Sequence, residues 1–249
     1  MIEKGEIGFD RRLKLAWLDL TADLVAQGLS PAEIRHALAQ HLEGALAESG
    51  TRGARSKTIT VLCRFWCDDG SAVDPLRHDA IQLHHGLPRK DAVWLHTGLA
   101  IATYPFFLST METVGRLLRL QQDVSLQEAT RRVCEQWGDR ERVARSARHV
   151  IQTVRDWGFL EATSRKGVYA APDARPLPNQ DLGIWLLRAL LVGARRDVAP
   201  FNEIIGSPAL FPFSLSVTRH DIRQSGKIMV YRHGLDKELI GPREFAPKT

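Results

Sequence analysis

RERVARSARHVIQTVRDWGFLEATSRKGVY, residues Arg140–Tyr169, is the stretch on which the reading of this chain turns. Val143, Ala147, Val150, Ile151 and Val154 recur at three- and four-residue steps and make one apolar helix face. Arg142, Arg145, Arg148, His149 and Gln152 fall mostly on the other. The spacing predicts a helix over 140–157. Gly158 supplies the left-handed residue that ends a helix, and Phe159 and Leu160 turn the chain back towards a core. Ser164-Arg165-Lys166-Gly167 is then a turn between strands expected at 160–163 and 168–171.

A helix divided in this way seats its apolar stripe on its own domain. Its guanidinium groups stay free to meet phosphates and the acceptor edge of guanine in a major groove. A basic helix face alone is commonly just solvated. The cationic hairpin beside it is the additional feature, and helix plus basic wing resembles the layout of winged-helix domains. The candidate DNA-binding residues are therefore Arg142, Arg145, Arg148, His149, Gln152, Arg165 and Lys166, with double-stranded DNA as the partner.

Composition agrees with a folded, basic chain. Its 249 residues are 44% hydrophobic, enough for the cores of two or three small domains, and the formal net charge is +5. That charge favours a polyanionic or acidic partner, yet it is small enough that a protein-interaction adaptor or a transcriptional regulator stands as the alternative. Three cysteines, Cys63, Cys67 and Cys134, make no disulfide framework. No secretory signal is visible at the start, so a cytoplasmic location is expected. The longest apolar runs, 93–108 and 184–192, are interrupted or short of the roughly twenty residues that span a bilayer, so no membrane association is expected.

The rest of the chain reads as mainly α. Helices are expected at 10–27, from the Ser30-Pro31-Ala32-Glu33 capping box to about 49, and at 57–67, 75–85, 88–103 and 105–122. Ser125-Leu126-Gln127-Glu128 reads as a second capping box, opening a helix over 126–137. Arg52, Arg55, Lys57 and Arg64 form a basic stretch, read as a solvated loop before a second phosphate patch. Pro172, Pro176 and Pro178 mark a linker. Beyond it come helices at 181–193 and 200–205, an irregular apolar stretch at 208–213, a helix at 214–225, and strands at 227–232 and 237–240 around a turn at 233–236. This tail repeats helix plus hairpin, and exposes a second, weaker basic set of Arg219, Arg223, Lys227, Arg232 and Lys237. The resulting organisation is an N-terminal helical bundle (1–104), a winged-helix unit (105–171), a Pro-rich linker (172–179) and a second winged-helix-like unit (180–249), with short β-hairpin wings.

Chemistry finds little to use. Cys63 and Cys67 lie four apart on one helix, without the second close pair that zinc ribbons and fingers need, and read as core packing. Nucleophile elbow, phosphate loop, HExxH pair and clustered carboxylates are all missing from the sequence, so no catalytic residue, metal or cofactor is expected. Trp17, Trp66, Trp94, Trp137, Trp157 and Trp185 sit on apolar stripes as core anchors rather than as a stacking platform for single strands.

The order of parts resembles the small A-component proteins of BREX bacteriophage-defence systems. The parts matched are the early helical pair, the Arg55–Thr58 entry into a helix, the aromatic stretch around Ala100–Phe107 and the Arg140–Ala170 unit. All of them precede Asn179. The resemblance implies a largely helical, non-catalytic DNA-binding accessory that acts beside a methyltransferase and other defence-system proteins.

Overall fold

Residues 7–46, 53–68, 72–233 and 237–241 are described by the computed structural model. Among them the fold is mainly α, with 11 α-helices and three small sheets. The N-terminal part comprises α1 (Leu15–Ala26), α2 (Pro31–His41), α3 (Ala54–Trp66), α4 (Asp74–Gly86) and α5 (Ala92–Thr103). The reciprocal capping box at α2 is present, with Ser30 N donating to Glu33 Oε2 at 2.8 Å. The first helix starts at Leu15 rather than Asp10, and the residues before it run alongside a distant helix described below. The second stops at His41, and the remainder of its expected span to 49 includes residues outside the described set.

Next come α6 (Pro105–Gln121), β1 (Asp123–Ser125), α7 (Leu126–Trp137), α8 (Glu141–Asp156), β2 (Glu161–Ala162) and β3 (Val168–Ala170). Ser125 Oγ accepts from Glu128 N at 3.0 Å and caps α7. The Glu128 carboxylate accepts instead from Gln121 Nε2 at 3.4 Å, so only half of the expected box forms. Ser125 is also the last residue of β1, a strand too short to show a period in the sequence. β1 pairs antiparallel with β3 (Ser125 opposite Val168), and β3 with β2 (Ala162 opposite Tyr169), giving the sheet order β1-β3-β2.

The chain continues through β4 (Arg175–Pro176), α9 (Gln180–Gly193), β5 (Ala199–Pro200), α10 (Phe201–Ile205), β6 (Phe213–Ser214), α11 (Arg219–Ser225), β7 (Met229–His233) and β8 (Lys237–Gly241). α11 starts five residues later than expected, because Thr218 and Asp221 form a capping box there. Ser214 pairs instead with Pro176 in the parallel β4–β6 ladder. β8 pairs with both β5 (Ala199 opposite Ile240) and β7 (Val230 opposite Ile240), giving the order β5-β8-β7. Both three-stranded sheets thus place the first strand of the unit beside the last.

The buried core is continuous through these parts. Phe9 packs with Phe65, Tyr104 and Phe107, Phe107 meets Trp157, and Phe213 stacks on Trp94 with ring centroids 3.8 Å apart. All six tryptophans are buried. The indole N–H groups of Trp66, Trp137, Trp157 and Trp185 find partners across long sequence distances, as when Trp185 donates to the Leu76 carbonyl at 2.9 Å. α5 and α9 meet closely at Gly98, where any Cβ would overlap the Trp185 ring. The Pro-rich segment is fastened rather than loose: Arg175 donates from its backbone to the Pro212 carbonyl at 2.8 Å and from its guanidinium to the Gly158 carbonyl at 2.9 Å. No helix among the described residues is long and apolar enough to cross a membrane.

Candidate nucleic-acid interface

α8 is built as its sequence requires. Val143, Ser146, Ala147, Val150, Ile151, Thr153 and Val154 are buried. At roughly 100° per residue, Arg142, Arg145, Arg148, His149 and Gln152 share the complementary arc of about 120°. Gly158, at φ +76°, ends the helix, and Phe159 folds into the core fully buried. α8 packs on α7 and α6, which leaves its basic arc outward.

Arg142, Arg145 and Arg148 are exposed, and His149 and Gln152 are half-buried. The described arginines otherwise hold internal partners: Arg12 and Arg155 take Asp156, Arg35 takes Asp68, Arg116 takes Glu112, and Arg131 and Arg132 take Glu135. Among the described arginines, only the three of the α8 arc have no hydrogen bond, ion pair or ring contact with another described residue.

His149 sits between these cations and the segment before α1. Burial lowers its pKa, and Arg11, Arg145 and Arg148 push it further down against the opposing pull of Asp10. Its Nδ1 is buried without a partner. Arg11 was absent from the sequence-derived set, and no local signal marks it. It reaches α8 only because residues 7–14 are laid along that helix: Leu13 N donates to Thr153 Oγ1 at 3.1 Å, and Arg12 pairs with Asp156.

The hairpin is linked to α8 through β3, where Arg155 lies over the Tyr169 ring and donates to its hydroxyl at 3.5 Å. Gly167 takes φ +76°, and Lys166 is exposed with no partner among the described residues. Arg165 is different, because its guanidinium is held by Asp123 of β1. Asp139, Glu141 and Glu161 are exposed nearby in sequence and weaken the positive field at its edges.

The second basic set is arranged otherwise. Arg219 and Arg223 both lie against Glu238 on β8, Arg219 also covers the Phe201 ring, and Lys227 reaches Asp79 at 3.3 Å. The side chains of Arg232 and Lys237, and the turn residues 234–236, lie outside the described residues. So does Arg52 of the early basic stretch. Arg55 and Arg64 interact within the protein, and the Arg64 carbonyl accepts from Arg77.

Cys63 and Cys67 are buried free thiols, and the hydrogen bond with Cys67, together with burial, pushes the Cys63 thiol up. Among the described residues no three His, Cys, Asp or Glu side chains converge as a metal site. The chain matches no protein-family model, no curated protein and no solved structure.

Proposed function

We propose that this chain is a non-catalytic duplex-DNA-binding protein that seats α8 in the major groove, with the turn at Arg165 and Lys166 against the backbone beside it. One observation carries the reading: Arg142, Arg145 and Arg148 alone among the described arginines are left without an internal partner, and they share one helix arc. Three neighbouring guanidinium groups with no ion-pair partner among the described residues repel one another, and phosphate oxygens or guanine acceptors relieve that repulsion. A groove about 12 Å wide admits a helix with such side chains.

The winged-helix reading of both C-terminal units is supported by an order of helix, strand, helix, helix, strand, strand, which is complete in the first and interrupted in the second by β6 between α10 and α11, with the first strand of each three-stranded sheet beside the last. The role of an accessory in a phage-defence system, with a cytoplasmic location, rests on the BREX-like layout of the sequence. Electrophoretic mobility shifts over a salt series test the DNA reading. Binding that weakens steeply with salt is expected. No shift at low salt with folded protein rejects it.

Glu238 favours a second reading for the last unit alone. By pairing with both Arg219 and Arg223 it offsets one of their two charges and engages both guanidinium groups, so that this unit suits a protein partner better than phosphate. A partner retained at high salt after nuclease treatment supports an adaptor role there.

A further inference from the structure

α4 and α9 leave a gap that the turn after α11 borders, a cavity of about 690 Å³. That volume lies within the range of small-molecule sites. Leu76, Leu191 and Val192 give it an apolar wall, and cations reach it from α9 and the residues after it (Arg188, Arg195 and Arg196) and from the segment after α11 (Lys227). Asp197 is the one acid in the lining among the described residues.

Two of the cations are fixed in place. Asp79 of α4 holds Arg188 of α9 through one carboxylate oxygen and Lys227 through the other, at 3.3 Å. Burial opposes ionisation of Asp79, but Arg188 and Lys227 outweigh it and hold the carboxyl below its usual range. A guanidinium carries five N–H donors and an ammonium three, more than a single carboxylate can occupy. Donors held in this way are preorganised for an oxyanion, which reduces the entropy lost on binding. Arg195 and Arg196, the latter paired with Glu203, add further cations at the rim.

We infer that this cavity binds a small phosphate monoester with a compact apolar body. The dianionic head sits between Arg188 and Lys227, and the body lies against Leu76, Leu191 and Val192. No aromatic ring lines the cavity among the described residues, which disfavours a nucleotide base. Because the site joins α4 to the segment after α11, its ligand ties the N-terminal helices to the last unit. It is separate from the α8 face and does not depend on DNA binding.

Calorimetric titration of the full chain with phenyl phosphate and with inorganic phosphate, at constant ionic strength, tests this. Saturable binding is expected, with phenyl phosphate about tenfold tighter because the ring leaves water. Lys227→Gln, at a half-exposed side chain, weakens phenyl phosphate binding about tenfold by removing a charge-assisted donor. Val192→Phe fills the void and abolishes binding. Should that variant fail to melt cooperatively by circular dichroism, Ala72→Trp at the exposed rim blocks the same space. Absence of saturable binding to the wild type, equal affinity for the two probes, or undiminished binding in either kind of variant overturns the assignment.

Discussion

The indole N–H of Trp157 donates to the Leu13 carbonyl across 3.1 Å, joining the end of α8 to the extended segment before α1. Leu13 returns a bond from its own N–H to Thr153 Oγ1, also at 3.1 Å. Residues more than a hundred positions apart therefore fix the angle at which α8 presents its arginines, and bring Arg11 to His149.

Thr153→Val keeps the shape of the side chain but strands the buried Leu13 N–H. An unpaired buried donor costs about 1–3 kcal/mol, and urea denaturation followed by circular dichroism should show a loss of that size. A stability unchanged from wild type would mean that the segment is not fastened to α8.

Arg145→Ala and Arg148→Ala should each weaken duplex binding by about 1–3 kcal/mol where they reach base edges or well-formed phosphate contacts. Arg219→Ala and Arg223→Ala should cost less than about 1 kcal/mol, because Glu238 already occupies both cations at an exposed position. Fluorescence anisotropy on one duplex makes the comparison. Equal losses from both pairs would remove α8 from the centre of the interface.

If α8 binds DNA as proposed, His149 should give that binding a pH dependence of definite sign. In the free protein burial and the cations Arg11, Arg145 and Arg148 depress its pKa, with Asp10 acting against them. Phosphate brought close adds negative charge and favours the imidazolium, so binding takes up a proton. Affinity should accordingly rise as pH falls below about 6.5, the ordinary histidine value. His149→Gln should flatten the profile, and a wild-type profile as flat as the variant's would exclude the histidine from the contact.

His96 is a stability group rather than a surface one. Trp66 Nε1, which only donates, points at its Nδ1 at 3.2 Å, and its Nε2 lies 2.9 Å from Asp19. The ring is therefore neutral, with its proton on Nε2 and directed at Asp19. Burial is the larger effect and lowers its pKa despite Asp19. The unfolded chain thus binds a proton more readily than the folded one as pH drops below about 6.5, and stability falls there by at most about 1.4 kcal/mol per pH unit. His96→Gln, which can accept from Trp66 and donate to Asp19, should reduce that slope in denaturation curves taken between neutral and mildly acidic pH.

Gly98→Ala should destabilise, although alanine normally favours a helix interior over glycine by about 1 kcal/mol. The added methyl group would collide with the Trp185 ring where α5 meets α9. Overpacking of this kind costs about 1–3 kcal/mol. A thermal midpoint at or above the wild-type value would show that the two helices can separate freely.

Local chemistry was legible wherever one segment carried its own signal. Ser125 and Gly138 mark the ends of α7, the Arg140–Gly158 pattern gives α8 and its stop, and Ser30 with Glu33 starts α2. Thr218 and Asp221 carried an equally local signal for α11 that the apolar run before them obscured. β1, β5 and β6 are two or three residues long, too short for a period, and exist only because partners elsewhere in the chain hydrogen-bond to them.

By itself, then, the amino-acid order determined which face of residues 141–156 is greasy and which is cationic, since helix geometry alone sorts side chains that lie three and four apart. Only the folded chain decided which of those cations stay unmatched. Asp123 takes Arg165, Glu238 takes Arg219 and Arg223, and Asp79 takes Lys227, while no acid among the described residues pairs with Arg142, Arg145 or Arg148. Charge pairing depends on distances between segments remote in sequence, and those distances are set by the packing of the core.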